Sequence, residues 1–386
     1  MKESIYKREE IKKVCEEKRG DTVTKKKENG SAFWCIFFIS SMYIVSVSVA
    51  CISDKFIFLF NVENPDNIKH FERFMHPMIL VLNMFAGMSL WNIIYFGKRM
   101  FQKNSRSLPP LKFILLMCIP SFIDNLFTTI LLYGKMLTAQ SISRCLNSMM
   151  LIGNMVMCYF FLKAKFTRNN LMGAVFILIG SSIVGFAAIS AKSLGETSVL
   201  GLSTTVFYYF FCNIQLVFEE YLLKGFKNID LDPMLLVGVE GITGVVYSCG
   251  LILVGNMIPC TPIGDNNYAL CAYNYIENIS IAFQQIRVSP NILLYFFWHL
   301  ISLALFHIVA LNIIKIINST FRSILVFVNV ILVWIHSVLM GWETLKPLQV
   351  LGYSIIIIGV LVFQKIVNLI KSKEEISEIN SKAKPD

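Results

Sequence analysis

The chain has 386 residues, of which 55% are hydrophobic and only 16% charged. An ordinary soluble domain carries about 25% charged residues, so the composition excludes one and points to an integral membrane protein. Lys and Arg number 35 against 25 Asp and Glu, a formal net charge of +10. In so apolar a chain that excess fits basic cytoplasmic loops better than nucleic-acid binding.

Residues 1–30 are polar and rich in both signs of charge, a composition expected to stay solvated and disordered. The segment is too long and too acidic for a signal peptide, so the apolar run at 32–52 reads as a retained first helix. A membrane span needs about 20 apolar residues to cross about 30 Å of hydrocarbon. Ten runs qualify: 32–52, 75–97, 111–134, 137–162, 170–191, 198–223, 233–254, 290–314, 319–340 and 347–369. All are expected to be helices, because open sheet edges cannot be satisfied in lipid. The third and fourth are predicted to form a hairpin with its turn near Tyr133-Gly134-Lys135. Between the first two runs, Phe56 to Phe60 reads either as a short interfacial helix or as the end of helix one.

Charge sets the orientation. With the N-terminus inside, the short inner loops hold 12 Lys and Arg against 7 in the outer loops. Both termini are therefore expected in the cytoplasm. The chain also carries an internal echo. Arg144 precedes Gly173 by 29 residues and Arg322 precedes Gly352 by 30, and Gly180 and Gly359 each follow seven further on. Arginine, apolar run, turn and glycine pair in the same order twice suggest duplication. Ten helices divide five and five near 191–198, and an odd number per unit makes the second unit enter from the opposite face. The fold class expected is an all-α integral membrane protein built as a 5+5 inverted repeat. Its parts would be a cytoplasmic segment 1–30, repeats at 31–192 and 193–370, and a cytoplasmic tail at 371–386.

Polar groups at membrane depth cost about 2.5–3.5 kcal/mol for a central charge on insertion scales, so they usually face a cavity. In helix three Asp124 is followed one turn on by Thr128, and Pro120 lies one turn before it. In helix four Arg144, Asn147, Leu151 and Asn154 share one face, as do Arg322, Asn329 and His336 in helix nine. Helix six carries Tyr208, Cys212, Gln215 and Glu219 on a stripe, with Glu220 beside it. Helix seven carries Glu240, a carboxylate that needs a partner or a proton. The candidate binding residues are thus Asp124, Thr128, Arg144, Asn147, Asn154, Gln215, Glu240, Asn329 and His336. Arg322, at a helix end, reads more readily as a snorkelling residue. Glu219 and Glu220 read as caps on a basic turn, His299 and His307 as hydrogen-bonded structural groups, and the glycines as helix contacts. In the loop before the eighth run, Cys260 and Cys271 could form a disulfide, and Asn278-Ile279-Ser280 is a glycosylation sequon. No phosphate-cradling loop, metal cluster or nucleophile–base pair is evident, so no cofactor, metal or catalytic role is expected.

A set of short motifs recurs in one order. It comprises Phe74-Met75-His76-Pro77 with Met84-Phe85-Ala86-Gly87, Ile119-Pro120 with Asp124, Thr128 and Tyr133, and Gln140 to Arg144. Val217-Phe218-Glu219-Glu220, Val239-Glu240-Gly241 and Gly341-Trp342-Glu343 with Leu348 to Gly352 follow. In these the chain resembles the drug/metabolite transporter superfamily. It is most similar to the solute carrier 35 F-type branch and, more distantly, to chloroquine-resistance-transporter-like proteins. The resemblance implies a ten-helix carrier with helices five and ten peripheral, resident on an endomembrane such as a lysosome, vacuole or Golgi. The expectation is a secondary transporter of a small organic solute, by exchange or proton coupling. In it Arg144 would meet an anionic group, and Asp124 or Glu240 would carry the coupling charge. The expected partners are a small-molecule substrate and the lipid bilayer, not nucleic acid; the oligomeric state is left open. The alternatives are a nucleotide-sugar antiporter, a non-transporting receptor or scaffold of the same fold, and an intramembrane enzyme.

Overall fold

The computed structural model describes residues 34–58, 60–64, 67–101, 109–136, 140–189, 199–225, 231–260, 275–341 and 345–364. Side chains are described within those ranges except at 63–72, 136, 140–149, 199, 200, 202 and 337. The chain begins with α1 (Trp34–Phe58) and a hairpin of β1 (Asn61–Asn64) and β2 (Asn67–Arg73). Then follow α2 (Pro77–Phe101), α3 (Leu111–Met136), α4 (Gln140–Phe161) and α5 (Arg168–Ile189). Next come α6 (Val199–Lys224), α7 (Pro233–Met257), α8 (Ile279–Val288), α9 (Ile292–Ile316), α10 (Ser319–Leu339) and α11 (Pro347–Phe363).

Each of the ten apolar runs falls on one helix. Seven helices, α1, α2, α3, α5, α7, α9 and α10, are long and apolar enough to cross a membrane. α8 was not foreseen; its 10 residues reach only about 15 Å and cannot span. Bulky apolar side chains point outward along the helices, with Ile93 71%, Val246 65% and Leu253 64% exposed. In water such faces would aggregate, whereas in hydrocarbon they meet their own kind. This is a multi-pass α-helical membrane protein.

Helix starts follow local chemistry. α2, α7 and α11 open on Pro77, Pro233 and Pro347, where the missing N–H costs nothing. Asp232 caps α7 by accepting from Met234 N at 2.9 Å, and Asn318 caps α10 by accepting from Phe321 N at 2.7 Å. One open reading is settled and one expectation is corrected. Phe56 to Phe58 end α1 rather than forming a separate interfacial helix, and the antiparallel hairpin follows them. Tyr133 to Lys135 are helical, since α3 runs on to Met136; the link to α4 lies outside the described residues. The helix persists there because Gly134 nestles against α6, where a Cβ would stand 2.6 Å from Thr205 Oγ1.

The helices pair across the chain. α2 lies along α7 and α5 along α11, while α2 also packs on α9 and α7 on α3. One apolar core joins α1, α2, α7 and α9, and a second joins α4, α5, α10 and α11. The four glycines of the internal echo form the α5–α11 seam. A Cβ on Gly180 would stand 2.7 Å from Gly352 O, and one on Gly173 2.7 Å from Gly359 O. Backbones this close exclude any larger residue.

A loop residue closes one end of the bundle. The Glu277 carboxylate is fully buried; it accepts from Met78 N at 3.1 Å and bonds His76 Nδ1. It thereby satisfies an orphan donor of the first turn of α2. Tyr133 Oη donates to Ile276 O at 3.0 Å beside it.

Candidate functional site

A cavity of about 220 Å³ lies among α1, α2, α3, α4, α6, α9 and α10. On α1, Tyr43, Val47, Ala50, Cys51 and Asp54 line it, spaced at the turns of one helical face. α3 contributes Asp124, Thr128 and Lys135, and α6 contributes Tyr208, Cys212 and Gln215. α9 brings His299, Phe306 and His307, and α10 brings Arg322 and Asn329. Ser48 Oγ donates to Asn329 Oδ1 at 2.7 Å, fixing that amide between α1 and α10.

Charges gather at two levels. Eleven residues separate Tyr43 from Asp54 on α1 and Asp124 from Lys135 on α3, so the levels are about 16 Å apart along the helices. At the first, Asp54 Oδ2 accepts from Lys135 Nζ at 3.1 Å and Oδ1 meets His299 Nε2 at 3.0 Å. Asn83 Nδ2 donates to Phe296 O at 3.0 Å and lies 2.9 Å from His299 Nδ1. The carbonyl contact orients the Asn83 amide, so Nδ1 of His299 accepts and its Nε2–H donates to Asp54. Each member of this chain is satisfied.

The second level is different. Arg322 Nη1 donates to Glu219 Oε2 at 3.1 Å, and Gln215 Nε2 donates to Glu219 Oε1 at 2.7 Å. The guanidinium also sits 5.4 Å from the centre of the Phe306 ring, a cation–π distance. Asp124 Oδ1 accepts from Thr128 Oγ1 at 2.9 Å, but its Oδ2 is buried without a partner. Tyr43, fully buried, stands against the Arg322 guanidinium at the same level. A polar atom left bare in a low-dielectric interior is costly, and Asp124, which keeps one, lines the hollow.

Of the residues expected from sequence, Asp124, Thr128, Gln215 and Asn329 meet at the cavity. Asn154, Glu240 and His336 do not line it. Asn154 is fully buried, and its Nδ2 donates to Ser323 Oγ at 2.9 Å, tying α4 to α10. Glu240 is 1% exposed in α7, with Oε1 unpartnered. His336 sits beyond Asn329 on the same face of α10. The side chains of Arg144 and Asn147 lie outside the described residues.

Arg322 does not snorkel: it is 5% exposed and faces the cavity. α10 begins inside the bundle, so its first turn is already deep. Glu219 turns inward to meet it, while Glu220 does cap, accepting from Ser319 N at 2.9 Å and Lys224 Nζ at 3.1 Å. The sequence does not mark Asp54, Lys135 and His299 as cavity groups: the first apolar run ends at 52, and Lys135 falls in the predicted turn. The regular spacing Tyr43, Val47, Cys51, Asp54 was the signal that α1 continues. Cys260 is disulfide-bonded, and Cys271 lies outside the described residues. Asn278 is half-buried and caps α8, accepting from Ile281 N at 3.2 Å.

Fold and cavity together define a multi-pass α-helical membrane protein with a largely apolar hollow among its helices that carries a few polar and charged groups. The chain is homologous to members of the solute carrier 35 F-type branch of the drug/metabolite transporter superfamily. It is 24% identical to solute carrier family 35 member F6 of Rattus norvegicus over 335 residues, 84% of this chain and 87% of that one. The Homo sapiens protein of the same name matches at 24% identity over 335 residues, covering 88% of its length. An uncharacterised protein of Schizosaccharomyces pombe is 27% identical over 289 residues, 74% of this chain and 86% of that one. No protein-family model matches. Among solved structures, the crystal structure of one protein aligns over 87% of this chain and 98% of its own, with TM-score 0.48 and 12% identity. That likeness is too distant to bear on function.

Proposed function

We propose that this protein is a secondary transporter that moves a small organic solute through the central cavity, by exchange or proton coupling. The observation that carries the reading is the lining itself. Helices of both halves of the chain, α1 and α3 from one and α6, α9 and α10 from the other, converge on a hollow with an uncompensated polar atom. Substrate sites of secondary transporters lie at such a junction. The solute carrier names of the relatives support the same class.

Asp124, Thr128, Gln215, Asn329 and Arg322 form the binding group in this reading. Arg144 and Asn147 join it from α4, and Asn154, Glu240 and His336 act around it. Glu240 and Asp124 are the candidates for a coupling charge. The bundle is read as two five-helix units of opposite sense, residues 31–192 and 193–370, with both tails cytoplasmic and α8 outside the count. The α5–α11 seam supports this: exchanging Gly173 with Gly352 and Gly180 with Gly359 turns one observed contact into the other. The membrane is an endomembrane, with the Cys260–Cys271 disulfide and an Asn278 glycan on its non-cytoplasmic face. The nucleotide-sugar alternative fits less well. The cavity lies below the roughly 300–1,000 Å³ typical of sites for drug-sized ligands, and its two strong cations are already ion-paired.

The test is uptake by purified full-length protein in proteoliposomes, using amino acids, peptides, organic cations and nucleotide sugars with and without a pH gradient. Saturable flux of at least one class, lost with Asp124→Asn at equal incorporation, is expected. Absence of flux across the panel, with a partner protein bound instead, would make the receptor or scaffold reading the right one.

A further inference from the structure

Resting on the transport reading above, the geometry points to a protonated amine as the cargo's defining group, held by Asp124 Oδ2. Asp124 is 7% exposed, lines the cavity and keeps one carboxylate oxygen bare. The other charges on the lining are matched. Lys135 is bound to Asp54, and Arg322 is bound to Glu219. Glu240 adds a further buried carboxylate nearby, its carbonyl taking the Ser121 hydroxyl at 2.8 Å one turn from Asp124 on α3. Among the described residues Asp124 and Glu219 are the carboxyl groups at this level and Arg322 its one guanidinium, with His307 beside them on α9. An ammonium entering here supplies the donor that Oδ2 lacks, whereas an anion finds both cations already paired.

The walls suit the same guest. Tyr43, Tyr208 and Phe306 line the cavity, and aromatic faces attract cations. Tyr43 and Arg322, both on the lining, can meet a polar group at the guest's other end, so both simple amines and amino-acid zwitterions fall within the class. A cavity of about 220 Å³ suits a small molecule.

Phenethylamine, phenylalanine and phenylacetate share one ring and differ in charge, so with a nucleotide sugar they separate the cases. Full-length protein in proteoliposomes should take up phenethylamine, phenylalanine or both. Asp124→Asn should cut that uptake by roughly tenfold or more, the scale of a lost charge-assisted hydrogen bond, while Asp124→Glu restores part of it. Direct binding to the detergent-solubilised protein, with its unfolding midpoint measured alongside, shows that the variants are folded. Flux of phenylacetate or the nucleotide sugar without either ammonium compound would overturn this assignment and leave transport standing. Flux of the ammonium compounds unchanged in Asp124→Asn would also overturn it. No flux of any of the four, with flux of another solute of the wider panel, would overturn this assignment alone; no flux of any solute would sink both readings.

Discussion

The two charged levels of the cavity are made of similar parts and reach different ends. At the Asp54 level a carboxylate takes a lysine on one oxygen and a histidine on the other, and an asparagine completes the row. At the Arg322 level a guanidinium meets one carboxylate while a second keeps a bare oxygen. Lys135 and Asp54 are 22% and 13% exposed, against 6% and 1% for Arg322 and Glu219. The less buried level is thus electrically complete and the deeper one is not. Structural ion pairs tend toward completion, because an unmatched buried charge destabilises the fold. A site that must accept and release a charged guest has to leave a group unmatched, which is why the deeper level is the candidate site.

The largest effect expected is at the deeper pair. Arg322→Ala strands Glu219 and should cost about 3–5 kcal/mol, read as lost expression or a sharply lower unfolding midpoint in detergent. A double variant with Glu219→Gln should recover a large part of the loss. Next, Asp54→Asn leaves Lys135 without its counter-ion and His299 without a carboxylate acceptor, so a cost of about 1–3 kcal/mol is expected. A double-mutant cycle with Lys135→Ala checks that the two are coupled. At the α5–α11 seam, Gly180→Leu should cost about 1–3 kcal/mol by overpacking. It should leave the discrimination between phenethylamine and phenylacetate intact, because that seam touches neither charged level.

The smallest effect on stability is the sharpest comparison. Asp124→Asn is the same substitution as Asp54→Asn, yet it removes a charge that no cation holds. Its effect should lie within about 1 kcal/mol of zero or be stabilising, even as cargo binding falls. If Asp124→Asn and Asp54→Asn prove equally destabilising in the same unfolding assay, the distinction between a structural level and a binding level is wrong.

Part of the cavity lining was legible from helix periodicity. Asp124 with Thr128, Gln215 on the α6 stripe and Asn329 on the α10 stripe were named from spacing, and all four face the cavity. The same reasoning put Asn154 and His336 with the lining residues, which they do not join, because periodicity gives a face and not a depth. Asn154 meets Ser323 instead of the hollow because α4 and α10 touch there. Arg322 was misjudged for the complementary reason: a residue in the first turn of a helix lies at the membrane surface only if the helix starts there. Glu277 gave no signal, since its value comes from partners about 200 positions away in sequence.

Composition and periodicity alone determined that this chain lives in a membrane, where its helices run and which faces carry polar groups. Those properties follow from transfer of apolar residues out of water and from the local need of each backbone to bond itself in lipid. The tertiary structure decided which polar groups are matched and which are left bare. Pairing is a matter of a few ångströms between helices distant in sequence, as with Asp54 and Lys135 or Glu219 and Arg322. The bare oxygen of Asp124 is therefore a property of the assembled bundle and of no single helix.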